Sequence, residues 1–450
     1  MNSFTLLPHS LRQTVSYCSV LTLSLVILST LTQCTDQVEA TMRYTKVTPV
    51  YQTTETLRQA VSVMPARAIE GTGKIYSHDG YLFLNQPGEG VHIIDNTDPT
   101  NPHPISFVNI PGNFDLAAQG DFLYADSYID LLALDISDPQ NVTVTKRVEN
   151  VFPRYNSYGF YPDEELGIVT SWIEEEVVEV YEGELNNYSP YYYGAGSFFF
   201  EDGLLMNSSA QADFRSQADV PVFSQSNEMV GKAGSLARFA MSNGHLYAVD
   251  DQNLQVFDVT QSADPVPGSE LAIGFMIETI FPYNDKLFIG SQDGMFIYDN
   301  TSPENPTYVS SFSHATSCDP VVANDSVAYV TLRSGNTCQG TQNQLDVLDV
   351  RDVYNPWLMT SYQMENPHGL GIDANVLFLC EGEHGLKVFD TTDSYQIDQR
   401  MIAHFEDIHA YDVIPANGVL IVIGDDGIYQ YDYTDLSNIH LLSKLTVAAV

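Results

Sequence analysis

Positive charge is what this chain has least of. Its 450 residues include 18 Lys and Arg against 58 Asp and Glu, for a formal net charge of −40. Such a surface repels phosphates and anionic lipid, which argues against nucleic-acid binding. The acidic excess reads first as a solvated surface, with capture of cations or of a basic partner as the sharper alternative. Long apolar runs are missing. The one candidate, Val15 to Leu31, is interrupted by small and polar residues and is too short and polar to cross a membrane comfortably. Tryptophan occurs only at 172 and 357, and cysteine only five times. There is no Gly-rich phosphate loop, HExxH, nucleophile elbow or CxxC, so the chemistries those motifs carry have no signature here.

What is present is a repeat. A strand closing on aspartate precedes a polar turn rich in Asn and Pro, as in VHIIDNTDPTNP (91–102), LLALDISDPQN (131–141), LQVFDVTQSADP (254–265), MFIYDNTSPENP (295–306) and LDVLDVRDVYNP (345–356). LKVFDTTDSYQ (386–396) and the fainter IYQYDYTDLSN (428–438) continue the series. The closing aspartates are Asp95, Asp135, Asp258, Asp299, Asp349, Asp390 and Asp432. Apart from the wide interval after Asp135, they recur every 40–50 residues. That period, with several short strands per copy, signals a β-propeller, because one such sheet cannot bury both faces alone and a closed ring of them can. Tight turns recur one strand earlier, at Asp79-Gly80, Gly120-Asp121, Asn243-Gly244, Asn284-Asp285, Asn324-Asp325 and Asn417-Gly418. The wide interval has room for a degenerate copy around EEEVVEVYEGE (174–184) and an insertion over about 185–234 that begins with the aromatic stretch YSPYYYGAGSFFF (188–200). The insertion reads as a long loop, either a binding element or a partly disordered one packing its aromatics on the nearest blade. The expectation is an all-β chain: a single β-propeller of eight four-stranded blades over residues 71–447, or seven if the third unit fails to form a blade. Segment 60–69 is expected to join the ring closure beside KLTV (444–447).

The strand signature followed by xxDPxNP resembles the LVIVD-repeat family of bacterial and archaeal cell-surface proteins over about residues 70–447. The resemblance implies a propeller on an exported, often lipid-anchored protein, and it implies no catalytic motif. The third unit and the insertion depart from the pattern. The scarcity of tryptophan separates the chain from quinone-dehydrogenase propellers, whose repeats are tryptophan-marked.

The N-terminus fits export. Arg12 precedes the apolar run, which ends at Leu31-Thr32-Gln33-Cys34. That resembles a lipobox with Cys34 as the lipidation site, although Gln33 stands where a small residue is usual. Residues 1–34 therefore read as a signal peptide, and 35–70 as a tether with a short helix near 53–61. In an oxidising compartment Cys318 and Cys338 are a disulfide candidate, since blade geometry puts both on one face. Cys380, in the apolar strand VLFLC, reads as a buried thiol.

If strands are lettered a to d from the axis outward, the start of strand a and the b–c loop share one end of the ring. The tight turns and the DPxNP turns share the other, which reads as structural. Ligands of propellers gather where loops from every blade converge, at the channel mouth. The expected ligand residues are the strand-a entries Asp115, Arg238, Glu278, Asp319, His368 and His409. No catalytic residue is assigned and no cofactor is required, although carboxylate loops such as EGEHG (381–385) and GDDG (424–427) suit calcium. Two functions remain. One is an exported, lipid-anchored ligand-binding or protein-interaction scaffold at the outer membrane or cell surface, or else secreted or periplasmic, with an extracellular or periplasmic partner. The other is an extracellular polysaccharide hydrolase or lyase using carboxylates or histidines at the mouth.

Overall fold

The computed structural model describes residues 37–152, 160–184, 198–200, 205–206, 232–274, 276–292, 294–313, 320–334 and 342–448. Cys34, Cys318, Cys338 and Asp319 lie outside the described residues, as does most of the insertion. The chain forms two compact units: residues 1–50 with 171–212, and residues 51–170 with 213–450.

The larger unit is an all-β propeller of seven four-stranded blades, not eight. Blade 1 is built of Ile75–His78, Tyr81–Gln86, Gly90–Asp95 and His103–Asn109. Blades 2 to 7 follow at 116–148, 239–272, 277–313, 321–363, 370–405 and 410–446. All are antiparallel meanders, and the strand phase read from the repeat holds throughout. The third unit is the exception. Its residues run as one long strand, Ile168–Glu184, in a separate sheet with Gln37–Gln52, Phe198–Phe200 and Leu205–Met206. The physical reason is legible in hindsight: EEEVVEVYEGE is a continuous run with no two-residue turn to fold it back into a hairpin. Within the stretch expected as a tether, residues Gln37–Gln52 form a strand. The short helix is present at Thr54–Gln59, capped by the Thr53 side chain, which accepts Thr56 N–H at 3.3 Å.

Local chemistry explains the blades. At the tight turns Asp79, Gly80, Gly120, Asn243, Gly244, Asn284, Asn417 and Gly418 adopt positive φ. At the longer turns each closing aspartate caps its own loop. Asp95, Asp258, Asp299, Asp390 and Asp432 accept both the N–H and the hydroxyl of the Thr two residues on, and Asp135 does the same with Ser137. Asp349 holds Arg351 instead. These bonds hold the aspartates below the usual carboxylate range, Asp299 at about 2.

Blades are joined through these turns as well as through apolar faces. A serine of the outer strand donates to a carbonyl of the next blade's turn: Ser106 to Pro139, Ser269 to Glu304, Ser310 to Val353, and Ser443 of blade 7 to Pro99 of blade 1. The fully buried tyrosines Tyr124 and Tyr247 reach the same way, to Ser262 and to Asn300 and Pro303. The ring closes between blades 7 and 1 through Gln430 and Asn96, which exchange amide hydrogen bonds at 2.9 and 2.6 Å, and through Ala448 N–H to Ile69 carbonyl at 2.7 Å. Segment 60–69 contributes to the ring, but its strand Ser62–Pro65 pairs with the outer edge of blade 1.

Candidate functional site at the channel mouth

The short strand Lys232–Ala233 pairs antiparallel with Ile75–His78 on the side away from Tyr81–Gln86, which is the axis side of blade 1. The chain then continues past the inner strands of several blades. Ser235 is buried, donates its N–H and Oγ–H to Asp412 of blade 7 at 3.3 and 3.4 Å, and accepts Leu370 N–H of blade 6 on Oγ at 2.7 Å. Ala237 carbonyl accepts Ile280 N–H of blade 4, and Arg238 N–H donates to Asp115 of blade 2 at 2.6 Å. The axis is therefore filled by the protein's own chain on its way into blade 3.

The expected mouth residues separate around this segment. Asp115 is buried and pairs with the equally buried Lys74, the residue at the corresponding entry of blade 1. Its Oδ1 accepts Leu116 N–H at 2.8 Å. Asp126 lies beside it, with Oδ1 accepting the N–H groups of Phe114 and Asp115 and the Asn113 amide at 2.7–2.9 Å. Burial pushes the Asp126 carboxyl up to about 7 and pulls the Lys74 ammonium down. Arg238 turns its guanidinium outward to Asp251, at 3.3 Å. Glu278 lies half-buried within the first strand of blade 4.

The two histidines do converge. His409 Nδ1 lies 2.5 Å from Asp425 Oδ2, and Tyr411 Oη donates to Asp425 Oδ1 at 2.6 Å. Tyr411 is flanked by both imidazoles, with ring centroids 4.9 Å away for His409 and 5.1 Å for His368. His368 is buried, and its Nε2 lies 3.1 Å from Arg333 Nη1. Burial, with Arg333 adding to it, pulls the His368 imidazole down to about 2, so it is neutral and accepts from the guanidinium. The result is an Asp–His pair, a tyrosine, a neutral histidine and an arginine on neighbouring blades 5, 6 and 7, with His409 and Asp425 open to solvent. Arrays of this kind can bind a polar ligand by hydrogen bonds, or exchange protons through the hydroxyl and imidazole.

Two further carboxylates are enclosed. Asp412 is 2% exposed, its Oδ2 makes no hydrogen bond, and burial holds its carboxyl well above the usual range. A Cβ on Gly369 would lie 2.2 Å from its Oδ1, and one on Gly234 would lie 2.8 Å from its Oδ2. Asp130 is clasped by Arg58 at 2.7 and 2.9 Å and by Arg147 at 3.0 Å, which fastens the helix to blade 2. Among the described residues, no group of three or more His, Cys, Asp or Glu side chains is arranged to hold a metal ion. No described helix is long and apolar enough to cross a membrane. Cys380 is buried, as its strand suggested.

Lys74, Ser235, Arg333, Tyr411 and Asp412 were not singled out from sequence. Aligning the repeat copies could have found Lys74 and Asp412, which stand at the entry position of Asp115. Nothing local marks Ser235, because its role depends on where a long insertion returns.

No protein-family model matches the chain, and no curated protein matches it in sequence. Among solved structures, similar chains include the computationally designed protein Ika8, at 8% identity over 86% of this chain and 92% of that one, with a TM-score of 0.47. Hsv2 of Kluyveromyces lactis aligns at 9% identity over 84% and 100%, with a TM-score of 0.45. BamB of Moraxella catarrhalis aligns at 8% over 88% and 97%, also with a TM-score of 0.45.

Proposed function

We propose that this propeller is an exported binding or interaction scaffold of the LVIVD-repeat kind, tethered by a lipid on Cys34, whose ligand meets the mouth face over blades 5, 6 and 7. The observation that carries this reading is the filled axis. The strongly perturbed carboxyl of Asp412 is buried against the protein's own segment at Ser235, while His409 and Asp425 are open to solvent. Solvated polar groups favour recognition over sequestration of a reacting bond from water. In this reading Cys318 and Cys338 are paired, which mass spectrometry of the non-reduced protein tests directly. The binding test is a panel of glycans, peptides and calcium against the purified protein, with turnover followed in the same wells. His409→Ala is expected to weaken binding at least tenfold while Arg238→Ala leaves it unchanged. Equal loss in both variants, or in neither, moves the site away from blades 5 to 7.

One observation favours the second reading. Tyr411 and the two histidines offer an acid and a base within one cluster, and Arg333 could neutralise a carboxylate, which is the equipment a lyase needs on an acidic sugar. Turnover of uronate-containing polysaccharide that disappears in both Tyr411→Phe and His409→Ala would establish it. Binding without turnover would leave the scaffold.

A further inference from the structure

Lys74 is a lysine with 1% of its surface exposed, and neither function above uses it. A buried lysine is costly unless it is well paired, and burying an ion pair often returns less than hydrophobic residues of the same volume would. Its ammonium nitrogen contacts Asp115 Oδ2, and Asp115 is 2% exposed. The two residues stand at the entries of adjacent blades, 41 positions apart in sequence.

The surroundings of Asp115 match what acyl transfer needs. Each carboxyl oxygen faces a backbone donor: Leu116 N–H on Oδ1 at 2.8 Å and Arg238 N–H on Oδ2 at 2.6 Å. Fixed N–H donors of this kind stabilise the negative charge that builds on oxygen when a carbonyl carbon is attacked. A second acid, Asp126, accepts the Asp115 N–H at 2.9 Å and lies on the neighbouring strand of the same blade. Water is largely excluded, since Lys74, Asp115, Asn85 and Asn113 are all buried.

We propose that Lys74 and Asp115 are joined by an intramolecular isopeptide bond that staples blade 1 to blade 2 beside the axis. Proton transfer within the buried pair gives a neutral amine and a neutral carboxylic acid, the forms that a dry site favours. The lone pair of Lys74 Nζ attacks Asp115 Cγ, and an N–C bond forms. The attacking nitrogen gives up a proton to Asp126 while Asp126 delivers one to the departing oxygen. The C–O bond breaks and one water leaves. Asp126 ends in the state in which it began, and the step requires no oxidant, reductant or second substrate. Its carboxyl, raised to about 7 by burial, carries a proton for much of the time near neutrality. The product removes two buried charges and leaves an amide whose carbonyl oxygen keeps its backbone donor.

The test is a mass. The purified mature protein, reduced and denatured, is expected to be lighter by one water than the mass of its processed and lipidated sequence. A map with Glu-C, which cuts after Glu70, Glu89 and Glu149, is expected to show a branched peptide uniting fragment 71–89, which carries Lys74, with fragment 90–149, which carries Asp115. Linear peptides carrying a free Lys74 and a free Asp115 would overturn the proposal and leave an ion pair only. Water loss confined to the Asp79-Gly80 peptide, where an aspartyl-glycine sequence can cyclise, would overturn it equally. Reduction removes any mass change due to cystine. Asp126→Asn should yield a chain of the unmodified mass that still has the β-sheet circular dichroism of the parent. A fully cross-linked Asp126→Asn protein would remove Asp126 from the mechanism.

Discussion

At the scale of single residues, Asp412 shows how a buried carboxyl reports on the interior. Burial raises its carboxyl in the folded state, with Val413 N–H and Ser235 as partial compensation. In the unfolded chain the group ionises near pH 3.9. Between that value and the raised folded one, the folded state binds the extra proton, so this residue lowers stability progressively as pH rises. Asp412→Asn keeps the shape between Gly234 and Gly369 and removes the ionisation. The variant is expected to melt at the parent's temperature near pH 4 and above it at pH 8, a comparison thermal denaturation monitored by circular dichroism makes directly. A larger gap at pH 4 than at pH 8 would mean that Asp412 is ionised in the fold. His368, His409 and Asp115 were legible as entry residues from repeat phase alone. Their partners were not, because Arg333 and Tyr411 meet His368, and Lys74 meets Asp115, only once neighbouring blades are docked.

At the scale of the element, the repeat carries a glycine rule. The third strands of blades 1, 4 and 7 each begin with a glycine near φ +150°: Gly90, Gly294 and Gly427. A Cβ on Gly294 would sit 2.1 Å from the carbonyl oxygen of Phe312 in the outer strand. Both the backbone conformation and the close approach require glycine. Gly294→Ala should therefore cost about 2 to 4 kcal/mol, measured by denaturant unfolding, through strain and displacement of the outer strand. A loss below about 0.5 kcal/mol would show that the strand pair can simply separate. Strand positions and turns could be read from sequence because each blade's grammar is local: an apolar alternation, a positive-φ turn and an aspartate capping its own loop. The third unit misled because it retains the composition of a blade, while its reversal at Asp163–Gly167 leads into one long strand, Ile168–Glu184, with no second reversal within it. Composition places a residue in a strand, whereas only a reversal places two strands side by side.

At the scale of the molecule, closure rests on contacts across the junction and not on a strand shared between the chain ends, since all four strands of blade 7 come from 410–446. Gln430 and Asn96 bridge the junction, and both are buried. A double-mutant cycle of Asn96→Ala and Gln430→Ala should give a coupling of about 1 to 2 kcal/mol in unfolding free energy. Additive losses would place the closing energy in the apolar contacts alone. The blade count turned on one unit out of eight, and no pattern within that unit could say that its strand would pair with residues 37–52. The axial segment has a kinetic meaning as well. Residues 233–238 touch blades 1, 2, 4, 6 and 7, so both the earliest and the latest blades in the chain must be in place before those bonds can all form. A repeat array that might have zipped up blade by blade is thus given a late, long-range step with a large loop-closure entropy, and its final folding phase should be slow, concentration-independent and all-or-none.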